Sequence, residues 1–172
     1  IKITNTNNTN LNVYGGYTAG AGDSTKNTVT IAGASKVKNV YGGYVTAANA
    51  KADGNTVNIE SGSTVSGHIY GGYATAASGT TKNNTVNLGD DTHTDFAGTT
   101  LTNSEIHGGN KSNVTGNTLN VNAKNIAAKS VNNFENYKFK LNESFGNGDT
   151  MLSVTNAGDF GGTGVDWGKI SV

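Results

Sequence analysis

Cysteine, proline and arginine are all absent from this 172-residue chain. Without cysteine it has neither a disulfide framework nor a thiolate metal site. The 12 lysines balance 12 acidic residues, so the formal net charge is zero. A nucleic-acid-binding surface is normally basic and rich in arginine, so we do not expect one. No apolar run reaches the roughly 18 residues of a membrane span, and no signal peptide is visible.

Three small or turn-forming residue types dominate what is present: 26 Asn, 25 Gly and 24 Thr. The hydrophobic content is 34%, below the roughly 45–50% of globular domains, a reference count that includes glycine. Composition alone would suggest disorder. The low charge and the regular Val and Ile positions argue instead for a folded chain with a thin core. The length suits one domain.

One five-residue motif occurs three times almost unchanged, with a degenerate fourth copy: Val13–Tyr17, Val40–Tyr44, Ile69–Tyr73 and Ile106–Asn110. We expect the apolar-Tyr pair of each copy to end a strand. The Gly-Gly pair that follows permits positive φ or close backbone approach, which predicts a corner. The residues after the second Tyr would then form a third short strand.

A second motif keeps nearly the same period, at Asn27–Ile31, Asn55–Ile59, Asn84–Leu88 and Asn117–Val121. Its alternation of polar and apolar residues predicts a half-buried strand. Two motifs in step indicate a repeat protein whose units bury their apolar faces by stacking. We therefore predict an all-β parallel β-solenoid with coils about 4.8 Å apart and stacked asparagine side chains. A β-sandwich with similar hairpins is the alternative.

The predicted solenoid has about four repeat coils within residues 1–122, and residues 123–172 continue or cap it less regularly. Ala123–Ser130 predicts a short helical turn or a loop. Strands are predicted at Tyr137–Leu141, Met151–Val154 and Trp167–Val172, with a turn at Gly146–Asp149. Gly161–Gly168 resembles a calcium-binding glycine-rich nonapeptide, but it is a single copy that lacks the large apolar residue.

Tyrosine supplies the candidate binding residues. We expect Tyr14, Tyr41 and Tyr70 to pack the corner, and Tyr17, Tyr44 and Tyr73 to be at least partly exposed. A row of exposed tyrosines suits sugar stacking or the anchoring of an interface. The variable loops 18–26, 45–54 and 74–83 are further contact candidates.

Metal and catalytic sites are not predicted, and no cofactor is expected. Asp91, His93 and Asp95 would share one face of a strand and could bind a divalent ion, but a solvated loop is the simpler interpretation. His68 and His107 are interpreted as structural or exposed. The acids are scattered apart from the adjacent Asp90 and Asp91, and no nucleophile motif accompanies any histidine, so we predict a non-enzymatic protein.

Both repeated motifs, with Val131–Phe139 and Gly148–Leu152, resemble the passenger regions of bacterial autotransporter adhesins of the type V secretion pathway. That resemblance implies a right-handed parallel β-helix displayed at the cell surface as part of a longer outer-membrane-anchored chain. It implies adhesion, self-association or biofilm formation, with surface proteins or glycans of the host or of bacteria as partners. It supplies no catalytic residues. A trimeric β-roll is the alternative fold; a structural stalk and a β-helix polysaccharide-degrading enzyme are the alternative functions.

Overall fold

A computed structural model describes residues 1–96, 101–141, 143 and 145–156. Within these ranges the chain forms β-strands and no helix. The strands are β1 (Lys2–Thr4), β2 (Asn12–Thr18), β3 (Thr28–Ala32), β4 (Lys36–Val37), β5 (Asn39–Val45), β6 (Thr56–Ile59), β7 (Thr64–Val65), β8 (His68–Ala74), β9 (Thr85–Leu88), β10 (Leu101–Gly109), β11 (Thr118–Val121), β12 (Ile126–Asn132), β13 (Asn136–Phe139) and β14 (Leu152–Val154).

All strand pairing is parallel and joins successive coils. Sheet 1 has the order β1-β3-β6-β9-β11-β13, and sheet 2 has the order β14-β12-β10-β8-β5-β2. A short two-stranded sheet of β4 and β7 lies between them along the chain. The molecule is therefore a parallel β-solenoid of about five turns, which confirms the predicted fold class.

Like residues stack on like residues through the core. In sheet 1, Val29 pairs with Val57, Val57 with Val86, and Val86 with Leu119. In sheet 2, Val40 pairs with Ile69, and Ile69 pairs with Ile106. These side chains are at most 1% exposed, so a narrow core of Val, Ile and Leu suffices.

A buried asparagine ladder marks the corner before sheet 1. The backbone N–H of Asn27 donates to Oδ1 of Asn55 at 3.0 Å, and the same bond links Asn55 to Asn84 and Asn84 to Asn117, at 2.9 Å each. The last three residues are fully buried, and such polar groups need partners. The predicted amide ladder is confirmed.

The corner itself lies one residue before each ladder asparagine. Lys26, Gly54, Asn83 and Gly116 have φ values of 57°, 67°, 55° and 71°, in the left-handed region that turns the chain. The predicted corner at Gly-Gly is therefore wrong, as is the separate third strand, because β2, β5 and β8 run unbroken through Gly-Gly to the residue after the second Tyr.

The region after residue 122 contributes β12, β13 and β14 to the same two sheets. The predicted helical turn or loop at Ala123–Ser130 is wrong, because β12 occupies most of it. The strand around Tyr137 and the turn at Gly146–Asp149 are confirmed, the turn by a 3.2 Å backbone hydrogen bond. Leu141, the last residue of the predicted strand, lies beyond the end of β13 and is 54% exposed. The predictions for Gly161–Gly168 and Trp167–Val172 lie outside the described residues.

Candidate functional site

Six tyrosines form two adjacent rows on the outer surface of sheet 2. We call this surface the tyrosine face; its members are Tyr14, Tyr41, Tyr70, Tyr17, Tyr44 and Tyr73. Tyr17 is 57% exposed and the other five are partly buried. Tyr17, Tyr44 and Tyr73 therefore lie where the sequence predicted. The prediction that the first tyrosine of each motif packs a corner is wrong. Those residues, Tyr14, Tyr41 and Tyr70, lie on the outer surface beside the second tyrosines.

The Gly-Gly pair explains why residues three apart share a surface. In β5, Val40, Gly42, Gly43 and Val45 are buried while the two tyrosines between them are partly exposed. Two consecutive inward residues break the normal alternation of a strand. The second tyrosine consequently returns to the outer surface beside the first.

Within each row the rings stack face to face. Tyr14 and Tyr41 have ring centroids 4.9 Å apart with planes 7° apart, and Tyr44 and Tyr73 are 5.1 Å apart at 10°. Between rows the rings meet edge to face, as in Tyr41 and Tyr44 at 5.3 Å and 87°. Such pairs contribute about 0.5–1.5 kcal/mol each beyond burial. Stacking covers the faces of the central rings, which leaves edges and hydroxyl groups for a partner.

The ionisation of the tyrosine face reflects this packing. Burial, with a smaller effect of the neighbouring tyrosines, raises the pKa of Tyr41 from 10.0 to about 12. Burial, then Tyr73 and Glu105, raises the pKa of Tyr70 to about 12. The phenol groups of Tyr41 and Tyr70 therefore remain neutral hydrogen-bonding groups far above neutral pH.

Polar residues continue the rows beyond the third coil. His107 stacks on Tyr70 with ring centroids 4.4 Å apart. Asn110, which follows in the second row's position of the motif, instead donates to the carbonyl of Ala74 and accepts from its N–H, both at 2.9 Å. The aromatic surface thus ends at a histidine.

A cluster of His68, Glu105, His107 and Lys129 lies at that end. Glu105 Oε2 is 3.3 Å from His68 Nδ1 and 3.7 Å from His107 Nε2, and Lys129 donates to Oε1 at 2.6 Å. The Lys129 hydrogen bond is the main reason that the pKa of Glu105 is lowered, which keeps the carboxylate ionised. Burial, with His68 nearby, lowers the pKa of His107 to about 4, so its ring is neutral at pH 7.

Sequence analysis did not find this cluster. His68 and Glu105 come together because β8 and β10 pair with His68 opposite Glu105. The interval between these coils contains an insertion, so the register was not evident from the sequence. One weak indication of the cluster was present in the sequence, which is that His107 occupies the first tyrosine position of the motif.

The outer surface of sheet 1 carries a second polar site, a groove of about 400 Å³. Asn58 and Asn87 line it and belong to a half-buried amide row, in which Asn87 donates to Asn58 at 2.7 Å and Asn120 donates to Asn87 at 2.6 Å. Glu60 and Asp90 are among the residues of its wall.

His93 contacts two acidic residues of this second site. Its Nδ1 lies 2.9 Å from Asp90 Oδ1, and its Nε2 is 3.7 Å from Glu60. Burial favours the neutral acid, but hydrogen bonds from His93 and Thr92 outweigh it and hold the pKa of Asp90 well below its usual range. Asp95 instead accepts from Asn125 at 2.9 Å. The segment is a loop, as predicted, so the alternative grouping of Asp91, His93 and Asp95 on one strand face does not form.

Comparison with protein-family models, curated proteins and solved structures finds no match for this chain. In the part of the chain that the structure covers, no helix is long and apolar enough to cross a membrane.

Proposed function

We propose that the chain is a non-enzymatic binding module of a bacterial cell-surface adhesin and that the tyrosine face makes the contact. The partner is a surface protein, a glycan or a second copy of the chain, and the outcome is attachment, self-association or biofilm formation. The observation that supports this most is the double row of six stacked tyrosines on one outer surface. The motifs that build it are those that resemble autotransporter passengers, which also supports an extracellular location.

The physical argument rests on preorganisation. Stacked rings on a rigid sheet have already lost much of their side-chain freedom, so a partner is bound at a lower entropic cost. Tyrosine combines an apolar ring with a hydroxyl group and is enriched at interfaces for that reason. Repetition at the coil spacing lets many weak contacts act together.

Because ring faces are covered within the rows, we expect a partner to contact ring edges and hydroxyl groups. Tyr17 is the most exposed of the six, and its contacts are expected to include ring atoms as well as the hydroxyl group. A structural stalk remains the second candidate, since the same solenoid can serve as a spacer.

The test is a binding screen of the purified chain against a glycan array and immobilised matrix proteins, with self-association measured by analytical ultracentrifugation. Replacing Tyr17, Tyr44 and Tyr73 together by Ser should abolish any specific binding while the fold is retained. The matched control replaces the outward residues Asn58, Asn87 and Asn120 of sheet 1 by Ser and should keep binding. A folded monomer that binds nothing would favour the stalk.

A further inference from the structure

We propose that His68, Glu105 and His107 form a binding site for one divalent transition-metal ion of the Zn²⁺ type. The three residues come from β8 and β10, which are adjacent in sheet 2. One donor atom from each side chain lies within 4.8 Å of the other two. Two imidazoles and one carboxylate are a ligand set that borderline metals such as zinc accept, with a position left for water.

The two spacings between Glu105 and the histidines fit such an ion. Zinc bonds of about 2.0–2.2 Å in a tetrahedral arrangement place neighbouring donor atoms roughly 3.4 Å apart. Glu105 Oε2 lies 3.3 Å from His68 Nδ1 and 3.7 Å from His107 Nε2. Small rotations of these side chains would bring both nitrogens into bonding geometry around a shared ion.

The ring nitrogens of His107 lack partners otherwise. Both are buried, and neither makes a hydrogen bond within the described residues; the 3.7 Å approach of Nε2 to Glu105 is too long for one. Nδ1 of His68 is also buried and makes no hydrogen bond in the described part of the chain, although it lies 3.3 Å from Glu105 Oε2. Buried polar atoms are normally satisfied. A metal ion bound by His68 Nδ1 and His107 Nε2 would satisfy two of these three nitrogens.

The cluster is also supported and accessible. Lys129 holds the other oxygen of Glu105 at 2.6 Å, and such outer contacts orient a ligating carboxylate. Stacking on Tyr70 fixes the ring plane of His107. The side chain of His107 is only 13% exposed but that of His68 is 43% exposed, so an ion can enter from the His68 side.

The Glu60, Asp90 and His93 group provides an internal contrast. It has similar donors, but Asp90 Oδ1 already accepts from Thr92 and from the backbone N–H of His93, at 2.7 and 2.8 Å. His93 Nδ1 is paired with the same carboxylate. Metal binding there would have to break these bonds, so this group serves as the matched control.

The test is calorimetric titration of the full chain with Zn²⁺, with Co²⁺ as a spectroscopic probe. We expect one ion per chain and a visible Co²⁺ absorption band of nitrogen and oxygen ligation. Loss of an outer contact costs about 10–100-fold in affinity, so loss of a ligand in His107→Tyr should cost more than about 100-fold. Tyr is the residue of the three preceding coils at this position, so this variant should remain folded.

His68→Asn should weaken binding as strongly, whereas the control His93→Asn should leave affinity unchanged. Unchanged Zn²⁺ binding in both His107→Tyr and His68→Asn, with circular dichroism like that of the unmodified chain, would overturn the proposal. So would the absence of binding by the unmodified chain, or a loss confined to His93→Asn. This site does not rest on the proposed adhesin function, because the titration uses the metal alone.

Discussion

Asn55 fills the space that Gly43 leaves empty: a Cβ atom on Gly43 would lie 2.5 Å from Nδ2 of Asn55. The same relationship joins Gly16 to Asn27 and Gly72 to Asn84, at 2.5 and 2.7 Å. The tyrosine-glycine motif and the asparagine motif keep one period because they pack against each other in every coil.

The first prediction concerns this contact. A Cβ at position 43 would also lie 2.4 Å from the carbonyl oxygen of Ser24, to which Asn55 donates. Gly43→Ala should therefore lower the free energy of unfolding by about 3 kcal/mol, from overpacking and a disturbed hydrogen bond. Urea denaturation measures this. Gly20→Ala, with open space around its Cβ, should change stability by less than about 0.5 kcal/mol; equal effects would contradict the model of close approach.

The second prediction compares two asparagines of one strand region. Asn84→Ala leaves the buried N–H of Asn55 without an acceptor, which costs about 1–3 kcal/mol for each such group. Asn87→Ala removes only half-buried amide contacts on the outer row, and each is worth about 0.5–1.5 kcal/mol. Thermal and urea unfolding should show the larger loss for Asn84→Ala. A reversed order would mean that the outer row, and not the buried ladder, holds the coils together.

The third prediction follows from the register. Deleting residues 27–54 removes 28 residues and joins Lys26 to Asn55, the equivalent of Asn27 in the next coil. A shorter folded protein with similar far-UV circular dichroism per residue should result, since each coil contacts only its neighbours. Deleting residues 27–40 cuts the coil out of register and should unfold the chain. Collapse of both variants would argue against independent coils.

The fourth prediction is a pH dependence. Tyr41 and Tyr70 have pKa values of about 12 in the fold, raised mainly by burial. A group whose pKa is higher in the folded chain than in the unfolded chain stabilises the fold. This contribution is fully present below the unfolded pKa of 10.0 and is lost as the pH rises through 12. The melting temperature should therefore fall between pH 10 and 12.

Substitution tests the source of that fall. Tyr41→Phe with Tyr70→Phe keeps the stacking but removes both phenol groups, so the fall should become shallower than in the unmodified chain. Tyrosinate absorbance should show late-ionising groups that the double variant lacks. A single titration near pH 10 for every tyrosine would contradict the prediction.

Periodicity predicted much of the fold from the sequence. The apolar alternation of Asn55–Ile59 and its copies identified strands, and the fixed spacing indicated stacking. The structural role of the Gly-Gly pair was predicted wrongly. In a sequence, glycine is equally consistent with a corner and with close approach of another side chain to the backbone. Only the structure shows that Asn55 needs the space beside Gly43, while the chain turns at Gly54.

The candidate sites were less predictable. Tyr17, Tyr44 and Tyr73 were identified because they repeat. Their shared surface with the first tyrosine of each motif depends on two consecutive inward glycines, a break in strand alternation that the sequence pattern did not predict. The His68 and Glu105 contact depends on register across an insertion. His93 lies in a loop, where strand periodicity gives no information about its partners.

The hydrogen bonds between coils run along the long axis of the solenoid, since they lie across the strands. Tension applied along that axis would load them one after another at a terminal coil, so we expect the chain to unravel stepwise under force. A freed coil of 28 residues, such as residues 27–54, could extend to about 95 Å, against roughly 5 Å of axis when folded. Single-molecule stretching would record this as regular steps. Under the proposed adhesin function, each coil would supply extra length before the attachment breaks.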